Sequence, residues 1–151
     1  IRVTPERKEL GFVGTPTEIK KDTILEIINE KKIPLIVPMG IGEDNNIYNI
    51  NADAAAGAIA KELKARRLLL MTDVEGVLDK SKNLISEINS SMANEMLENK
   101  TIAGGMMPKV KTCLDAVNNG VTGVVIVDGR KQHSILFEIF SDKGAGTLIR
   151  K

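Results

Sequence analysis

Residues 108–129 read PKVKTCLDAVNNGVTGVVIVDG and hold the two patterns that decide the fold. Apolar residues from Val110 to Val117 recur at the spacing of one helical face, and Gly120 suits the end of such a helix. The next segment, residues 121–129, is a continuous apolar run, which is typical of a strand that is covered on both faces. A helix followed directly by a buried strand indicates an α/β protein.

The rest of the chain repeats this alternation. Two further buried strands are predicted at residues 33–40 (IPLIVPMG) and 67–74 (RLLLMTDV). The helical patterns fall at residues 23–30, 52–65, 92–99, 108–118 and 133–140. Residues 1–19 predict an edge hairpin, and a glycine turn leads into a terminal strand after residue 144. We therefore expect a three-layer αβα fold with a mainly parallel central sheet, in which residues 20–151 form the α/β core.

Composition excludes several classes of protein. A net charge of +1 gives no basic field for nucleic acid, and an aromatic content of 3% gives no stacking platform for single strands. One His and the single Cys113 leave no Cys/His metal cluster and no internal disulfide. No apolar run reaches membrane-spanning length, so a cytoplasmic location is expected. The chain opens without Met, which suggests a fragment or a processed piece of a single-domain size.

A glycine-rich motif, GGMMPKVK, precedes the helix at 108–118. Gly104 and Gly105 let the backbone approach a ligand closely, and Pro108 suits the first helical turn. Lys109 and Lys111 then fall in the first turn, where the helix dipole disfavours a cation. A phosphate between the helix end and the Lys109 ammonium would reconcile the two. Two solvated surface lysines, at a cost of a few tenths of a kcal/mol, are the equal alternative.

The stretch NINADAAAG sets polar side chains at alternating positions before a helix. Asn51 can cap this helix and Asp53 is favoured in its first turn, so a well-capped helix explains both. It does not explain Asn49, which strand alternation places on the same side as Asn51.

Two other stretches carry candidate residues. The strand end at Thr72 and Asp73, before the turn at Gly76, could bind a ribose, hold a metal or cap the turn, and capping is the commoner outcome. It is neither a Walker A loop nor a G-x-G-x-x-G fingerprint. Near the end of the chain, His133 and Glu138 share a predicted helix, and for both a structural or solvated role is the simpler interpretation.

In this order, ELGFVG, YNINADAAAGAIA, RLLLMTDVEGVLD, TIAGGMMPKV, GVVIVDGR and GAGTLI resemble the second half of the acetylglutamate kinase branch of the amino acid kinase family. The N-x-N-A-D piece separates this branch from others of the family. The resemblance implies an amino acid kinase-like fold whose first lobe is missing, with this chain as the ATP-binding lobe. It implies transfer of a phosphoryl group from MgATP to the side-chain carboxylate of N-acetyl-L-glutamate, a step of arginine synthesis.

The resemblance also assigns roles to residues. It implies that Lys109 stabilises the transferring phosphoryl group, that Asp53 organises the catalytic lysines, and that Asn49 holds the substrate. It implies no resident metal site in the protein, because Mg²⁺ arrives with the nucleotide. The segments that it implies contact ATP are Thr72, Asp73, Val74, Glu75, Gly76, Val77 and Leu78, and Thr101, Ile102, Ala103, Gly104 and Gly105.

The ending HSILFEIFSDKGAGT resembles the form found in arginine-inhibited members. There, Glu138 would pair with the guanidinium of L-arginine, with His133, Gly144 and Gly146 bordering the pocket. The family's first half supplies a lysine, a Gly-Gly loop and an arginine that this sequence lacks, so we expect ATP binding with little turnover, and a homo-oligomer only when complete. The alternatives are a non-catalytic nucleotide- or effector-binding module, and an amino acid kinase with another acceptor.

Overall fold

The structure, a computed structural model, describes residues 1–151 and divides into two compact units, Ile1–Leu63 and Lys64–Lys151. The first unit contains β1 (Arg2–Pro5), β2 (Gly14–Glu18), α1 (Lys21–Asn29), β3 (Met39–Ile41), β4 (Ile47–Asn49) and α2 (Ala52–Glu62). The second contains β5 (Arg67–Thr72), β6 (Glu87–Asn89), α3 (Ser90–Glu98), α4 (Met106–Asn118), β7 (Gly123–Asp128), α5 (Ser134–Phe140) and β8 (Gly146–Arg150).

The sheet of the first unit has the strand order β2-β1-β3-β4. β1 pairs antiparallel with β2 and parallel with β3, and β3 pairs antiparallel with β4. A small core packs on one face of this sheet around Val3, Tyr48, Ile50 and Ala55. Helix α2 contacts β2, and the small side chains of its alanines allow that close approach.

Residues 33–38 correct one sequence prediction. The apolar run IPLIVPMG was expected to be a buried strand, but only its last two residues enter a strand, β3. Ile33 and Leu35 are each 95% exposed. Apolar side chains are buried only where other residues pack against them, and residues 1–151 supply no such contact for Ile33 and Leu35. Apolar content alone therefore gave the wrong burial.

The sheet of the second unit has the strand order β5-β7-β8-β6. β5 and β7 are parallel, β6 and β8 are parallel, and β7 and β8 are antiparallel. All six residues of β7 are buried. Because successive side chains of a strand point to opposite faces, both faces of the sheet are covered there. This confirms the strand expected at residues 121–129 and the α/β class, with mixed pairing in both sheets.

Four helix starts differ from the sequence prediction: α3 and α5 begin at Ser90 and Ser134 rather than at residues 92 and 133, and the other two changes move candidate residues. Helix α4 begins at Met106 rather than Pro108, so Lys109 is its fourth residue and Lys111 lies in its second turn. Helix α1 begins at Lys21 with Lys20 as its N-cap, so Asp22 lies inside the first turn and does not cap it. Both errors arise because Pro and Asp are tolerated at several first-turn positions.

Candidate functional site

The carboxyl ends of β5 and β7 lie at one edge of the second unit's sheet. The two strands are parallel with Thr72 opposite Asp128, and the Gly129 amide donates to the Thr72 carbonyl oxygen at 2.8 Å. The loop after β5 therefore begins beside the loop after β7. Lys131 in the second loop forms an ion pair with Glu75 in the first, at 2.9 Å. Ligands of open α/β sheets bind beyond strand ends of this kind.

An aspartate–arginine pair holds the turn after β7. The buried Asp128 carboxylate accepts hydrogen bonds from Arg130 Nε and Nη2, each at 3.0 Å, and from the Arg130 amide at 2.9 Å. The hydrogen bonds from the Arg130 side chain and amide lower the pKa of Asp128 to about 2. The Asp128 carboxylate in turn raises the pKa of Arg130, with smaller contributions from the charges of Asp73 and Glu75. At this edge of the sheet, the Arg130 guanidinium is therefore a fixed cation near the carboxylates of Asp128, Asp73 and Glu75.

A hydrogen bond to the Thr147 side chain holds the loop from Asp73 to Leu78 in place. The Val77 amide donates to Thr147 Oγ1 at 2.8 Å, and that hydroxyl donates to the Ile85 carbonyl oxygen at 2.6 Å. Gly76 has φ +147°, and a Cβ there would lie 2.6 Å from Thr147 Oγ1, so a side chain at position 76 is excluded. The loop buries Gly76 and Val77 and leaves exposed Asp73, Val74 and Glu75.

The segment from Thr101 to Gly105 leads into helix α4. Ile102 is buried, while Ala103, Gly104 and Gly105 are exposed. Gly104 has φ +56°, and a Cβ at Gly104 or Gly105 would meet no atom within 4 Å. Gly105 is the N-cap residue and no side chain caps the helix, while the Met107 amide donates to the Gly104 carbonyl oxygen at 3.2 Å. An uncapped helix N-terminus with open backbone is the geometry that binds phosphate groups.

Lys109 and Lys111 differ in burial and in position along α4. Lys109 is half-buried in the first turn of α4. Lys111 is exposed and lies two residues further along, at the start of the second turn. The cation at 109 is therefore the one placed near the helix N-terminus, and Lys111 provides a matched comparison.

The polar residues of the first unit take the predicted local positions. Asn51 is the N-cap of α2, and its Oδ1 accepts from the amides of Asp53 and Ala54 at 2.9 and 3.2 Å, which confirms the predicted cap. Asp53 is half-buried in the first turn. Asn49 ends β4 with its side chain exposed, and its amide donates to the Phe12 carbonyl oxygen at 2.8 Å.

A pocket of about 360 Å³ surrounds Glu138 in the second unit. Glu138 Oε1 accepts from Arg67 Nη1 at 2.9 Å, and Oε2 accepts from the Ala145 amide at 2.7 Å. Gly144 has φ +66°, and a Cβ there would lie 2.8 Å from Glu138 Oε2. Gly144 and Gly146 line the pocket, so three of the four residues expected around an effector lie together.

His133 does not line this pocket. It is exposed at the opposite end of α5, where it is the N-cap residue with φ 60°. Sequence reasoning missed Arg67, which pairs with Glu138 across 71 positions, and Thr147, which reaches Val77 across 70. Only the pairing of distant strands brings these residues together, so no local motif could have identified them.

Two general features complete the description. The structure has no group of three or more His, Cys, Asp or Glu side chains placed to hold a metal ion. None of its helices combines the length and the apolar character needed to cross a bilayer.

Comparison with known proteins defines the class. The sequence pattern of the amino acid kinase family matches residues 1–128, and the chain belongs to that family. This confirms the family resemblance of the sequence motifs and the fold expected from it.

The most similar relatives have a more specific name than the family as a whole. The chain is 60% identical over 151 residues to the acetylglutamate kinase of Pelagibacter ubique, covering 100% of this chain and 52% of that protein. It is 54% identical over 142 residues to the acetylglutamate kinase of Rhodospirillum rubrum, covering 94% of this chain and 46% of that protein. Among solved structures, smu.665 from Streptococcus mutans superposes with a TM-score of 0.82 at 32% identity, covering 99% of this chain and 56% of that one. The chain thus spans about half the length of the curated relatives it matches.

Proposed function

We propose that this chain forms the nucleotide-binding part of an enzyme that transfers the γ-phosphoryl group of ATP to the side-chain carboxylate of N-acetyl-L-glutamate. The observation that carries the proposal is the open N-terminus of α4, where Gly104 and Gly105 leave the backbone accessible and Lys109 follows in the first turn. The 60% identity to the Pelagibacter ubique acetylglutamate kinase supports this acceptor.

The proposed nucleotide site uses the second unit's strand-end loops. The segments Thr72–Leu78 and Thr101–Gly105 would contact ATP mainly through backbone groups. Their exposed residues lie in loops and turns, where the backbone is accessible. The amides at the start of α4 and the Lys109 ammonium would neutralise the terminal phosphate. Mg²⁺ would be carried by the phosphates, in line with phosphoryl transfer by other kinases.

The chemistry requires no general base. An acetylglutamate side chain is ionised at neutral pH, so its carboxylate oxygen can attack the γ-phosphorus directly while the bond to the β–γ bridging oxygen breaks, giving an acyl phosphate and ADP. We assign Asn49 to substrate binding and Asp53 to orienting the cationic groups. Neither role requires a residue to accept a proton or to act as a covalent nucleophile.

A joined chain tests this function. It fuses the 151 residues to the part of the Pelagibacter ubique enzyme that lies outside the matched stretch. We expect the joined chain to release ADP in an acetylglutamate-dependent manner, and the 151 residues alone to bind MgATP with little turnover. Lys109→Gln should lower the rate of the joined chain at least a hundredfold, the order of magnitude lost with one transition-state donor. Lys111→Gln is the matched control and should leave the rate within a few-fold. Equal effects of the two substitutions would refute the role of Lys109.

The pocket at Glu138 favours a second, regulatory role, which is binding of L-arginine. Its volume of about 360 Å³ suits a small molecule, and its buried carboxylate suits a guanidinium. The Arg67 guanidinium already occupies Oε1 at 2.9 Å, so a ligand would share or displace that contact. We expect arginine to raise the melting temperature of the chain, and Glu138→Gln to abolish the shift while the exposed Glu98→Gln keeps it. No shift at millimolar arginine would overturn this role.

A further inference from the structure

A second pocket of the second unit lies beside the first residues of α5. Its volume is about 380 Å³, toward the lower end of the range for small-molecule sites. None of the segments assigned to ATP lines it, although Lys143, Gly144 and Gly146 border both this pocket and the one around Glu138. We call it the Ser134 pocket, and its wall includes Leu84, Lys131, Ser134, Phe137, Lys143 and Ala145.

The charged side chains of the Ser134 pocket are all cations. Lys131 and Lys143 line it, and no Asp or Glu side chain does. Lys143 is exposed and forms no ion pair. The pocket around Glu138, by contrast, is lined by the carboxylates of Glu87, Glu138 and Asp142. Because opposite charges attract most strongly at short range, the Ser134 pocket favours an anionic ligand.

Ser134 adds a buried hydroxyl that has no partner. The residue is 5% exposed, its amide donates to the Lys131 carbonyl oxygen at 3.2 Å, and its Oγ makes no hydrogen bond. Buried polar side-chain atoms are hydrogen-bonded in the large majority of cases, so this exception calls for an explanation. Here the hydroxyl lies in the wall of a cationic pocket, where an anionic oxygen would accept its hydrogen.

The apolar part of the wall indicates the rest of the ligand. Leu84, Phe137 and Ala145 line the pocket, and Leu84 and Phe137 are 39% and 60% exposed. Burying this apolar surface is favourable by about 25 cal/mol per Å². A short hydrocarbon chain joined to the anionic group would cover it, whereas a bare inorganic anion would leave it in water.

The Ser134 pocket is also linked to the loop after β5. Lys131 Nζ pairs with Glu75 Oε1 at 2.9 Å, and both side chains are about half exposed. Leu84 packs against the same loop, because a Cβ at Gly76 would lie 2.7 Å from Leu84 Cδ1. An anion in the pocket would therefore compete with Glu75 for the Lys131 ammonium.

We propose that the Ser134 pocket binds a small organic anion, a carboxylate on a short hydrocarbon chain, and that this ligand takes Lys131 from Glu75. The ligand is opposite in charge to the guanidinium assigned to the pocket around Glu138. The site rests on the wall of the Ser134 pocket alone and does not depend on the proposed catalytic roles.

Titration of the 151 residues with hexanoate, followed in amide NMR spectra, tests the site. We expect shifts that saturate at the amides of Ser134, Phe137 and Ala145. Acetate lacks the chain and hexylammonium reverses the charge, so each should bind at least about tenfold more weakly. Equal binding of hexylammonium would leave only an apolar surface, and equal binding of acetate would leave only a charge. Either result, or shifts that do not saturate, overturns the proposal.

Two pairs of variants locate the ligand. Lys143→Gln should weaken hexanoate binding about tenfold, whereas Lys111→Gln, outside the pocket, should leave it unchanged. Phe137→Ser should weaken binding about threefold or more. Phe140→Ser, at an 81% exposed site outside the pocket, is its matched control. Equal effects within either pair contradict the proposal.

Two further variants test the hydroxyl and the competition. Ser134→Ala removes a hydroxyl without a partner, so it should shift the melting temperature by less than about 4 °C and still weaken hexanoate binding several-fold. Glu75→Gln releases Lys131 and should strengthen binding several-fold, whereas the exposed Glu98→Gln should not. Unchanged binding in Ser134→Ala or in Glu75→Gln overturns the proposal. These titrations contain no nucleotide, so failure of the kinase function and failure of this site are distinguishable.

Discussion

Replacing Thr147 with Val removes a single hydroxyl and keeps the shape of the side chain. In the native structure that hydroxyl accepts from the Val77 amide at 2.8 Å and donates to the Ile85 carbonyl oxygen at 2.6 Å. Thr147 and Val77 are 0% and 1% exposed, so the orphaned amide would have no access to water. A buried donor left without a partner costs about 1–3 kcal/mol, and the loss at the partly buried carbonyl adds about 0.5–1 kcal/mol.

We therefore expect Thr147→Val to reduce the free energy of unfolding of the second unit by about 2–3 kcal/mol. For a domain of 60–100 residues, each kcal/mol lowers the melting temperature by about 4–8 °C, so the midpoint should fall by roughly 10–20 °C. Circular dichroism measures the midpoint, and amide exchange at Val77 reports the local effect. Thr147→Ser, which keeps the hydroxyl, should keep the Val77 amide protected.

The exposed Thr17 on β2 provides a matched control, because Thr17→Val removes a hydroxyl that faces solvent. It should change the stability by less than about 0.5 kcal/mol. Thr147→Val with a midpoint within 2–3 °C of the unsubstituted chain, or with undiminished protection at Val77, would refute the reasoning that this hydroxyl fastens the loop.

Three further predictions concern the same unit. Gly76→Ala should destabilise by about 2 kcal/mol or more because its Cβ would lie 2.6 Å from Thr147 Oγ1 at φ +147°, whereas Gly105→Ala meets no atom within 4 Å and should change thermal stability by less than about 0.5 kcal/mol. The pKa of Asp128 is lowered to about 2, so the stabilising effect of its carboxylate is complete above about pH 4 and is lost as the pH falls toward 2. Asp128→Asn should therefore make the melting temperature less dependent on pH between about 4 and 2. An unchanged dependence of the melting temperature on pH would contradict this. Arg67→Gln should cost about 1–3 kcal/mol, because it leaves the 6% exposed Glu138 carboxylate with fewer donors, whereas Arg150→Gln breaks a pair of exposed side chains and should cost less than about 0.5 kcal/mol by urea denaturation.

Local patterns predicted the helices and the strand β7 well, because each depends on residues close in sequence. The periodicity of Val110 to Val117 and the apolar run after Gly120 correspond to α4 and β7. Asn51 was predicted to cap α2 because the capping residue and the amides it accepts from lie within three positions. In each case the stabilising contact is short in sequence.

Burial and the reach of side chains were the parts that the sequence did not determine. Residues 33–38 have the composition of a buried strand, and their exposure depends on what packs against them. The Arg67–Glu138 pair and the role of Thr147 arise from strand order in a sheet, which no local motif encodes. The proposed roles of Asn49, Asp53 and Lys109 remain predictions for the experiments above.

The order β5-β7-β8-β6 places strand β8, residues Gly146–Arg150, between two partners that come earlier in the chain. During synthesis on the ribosome, β6 has no neighbour until β8 emerges, and β7 has only one. The second unit can therefore complete its sheet only after residue 150 has left the exit tunnel. A stop codon a few residues early would leave β6 detached from the sheet, together with the helix α3 that follows it.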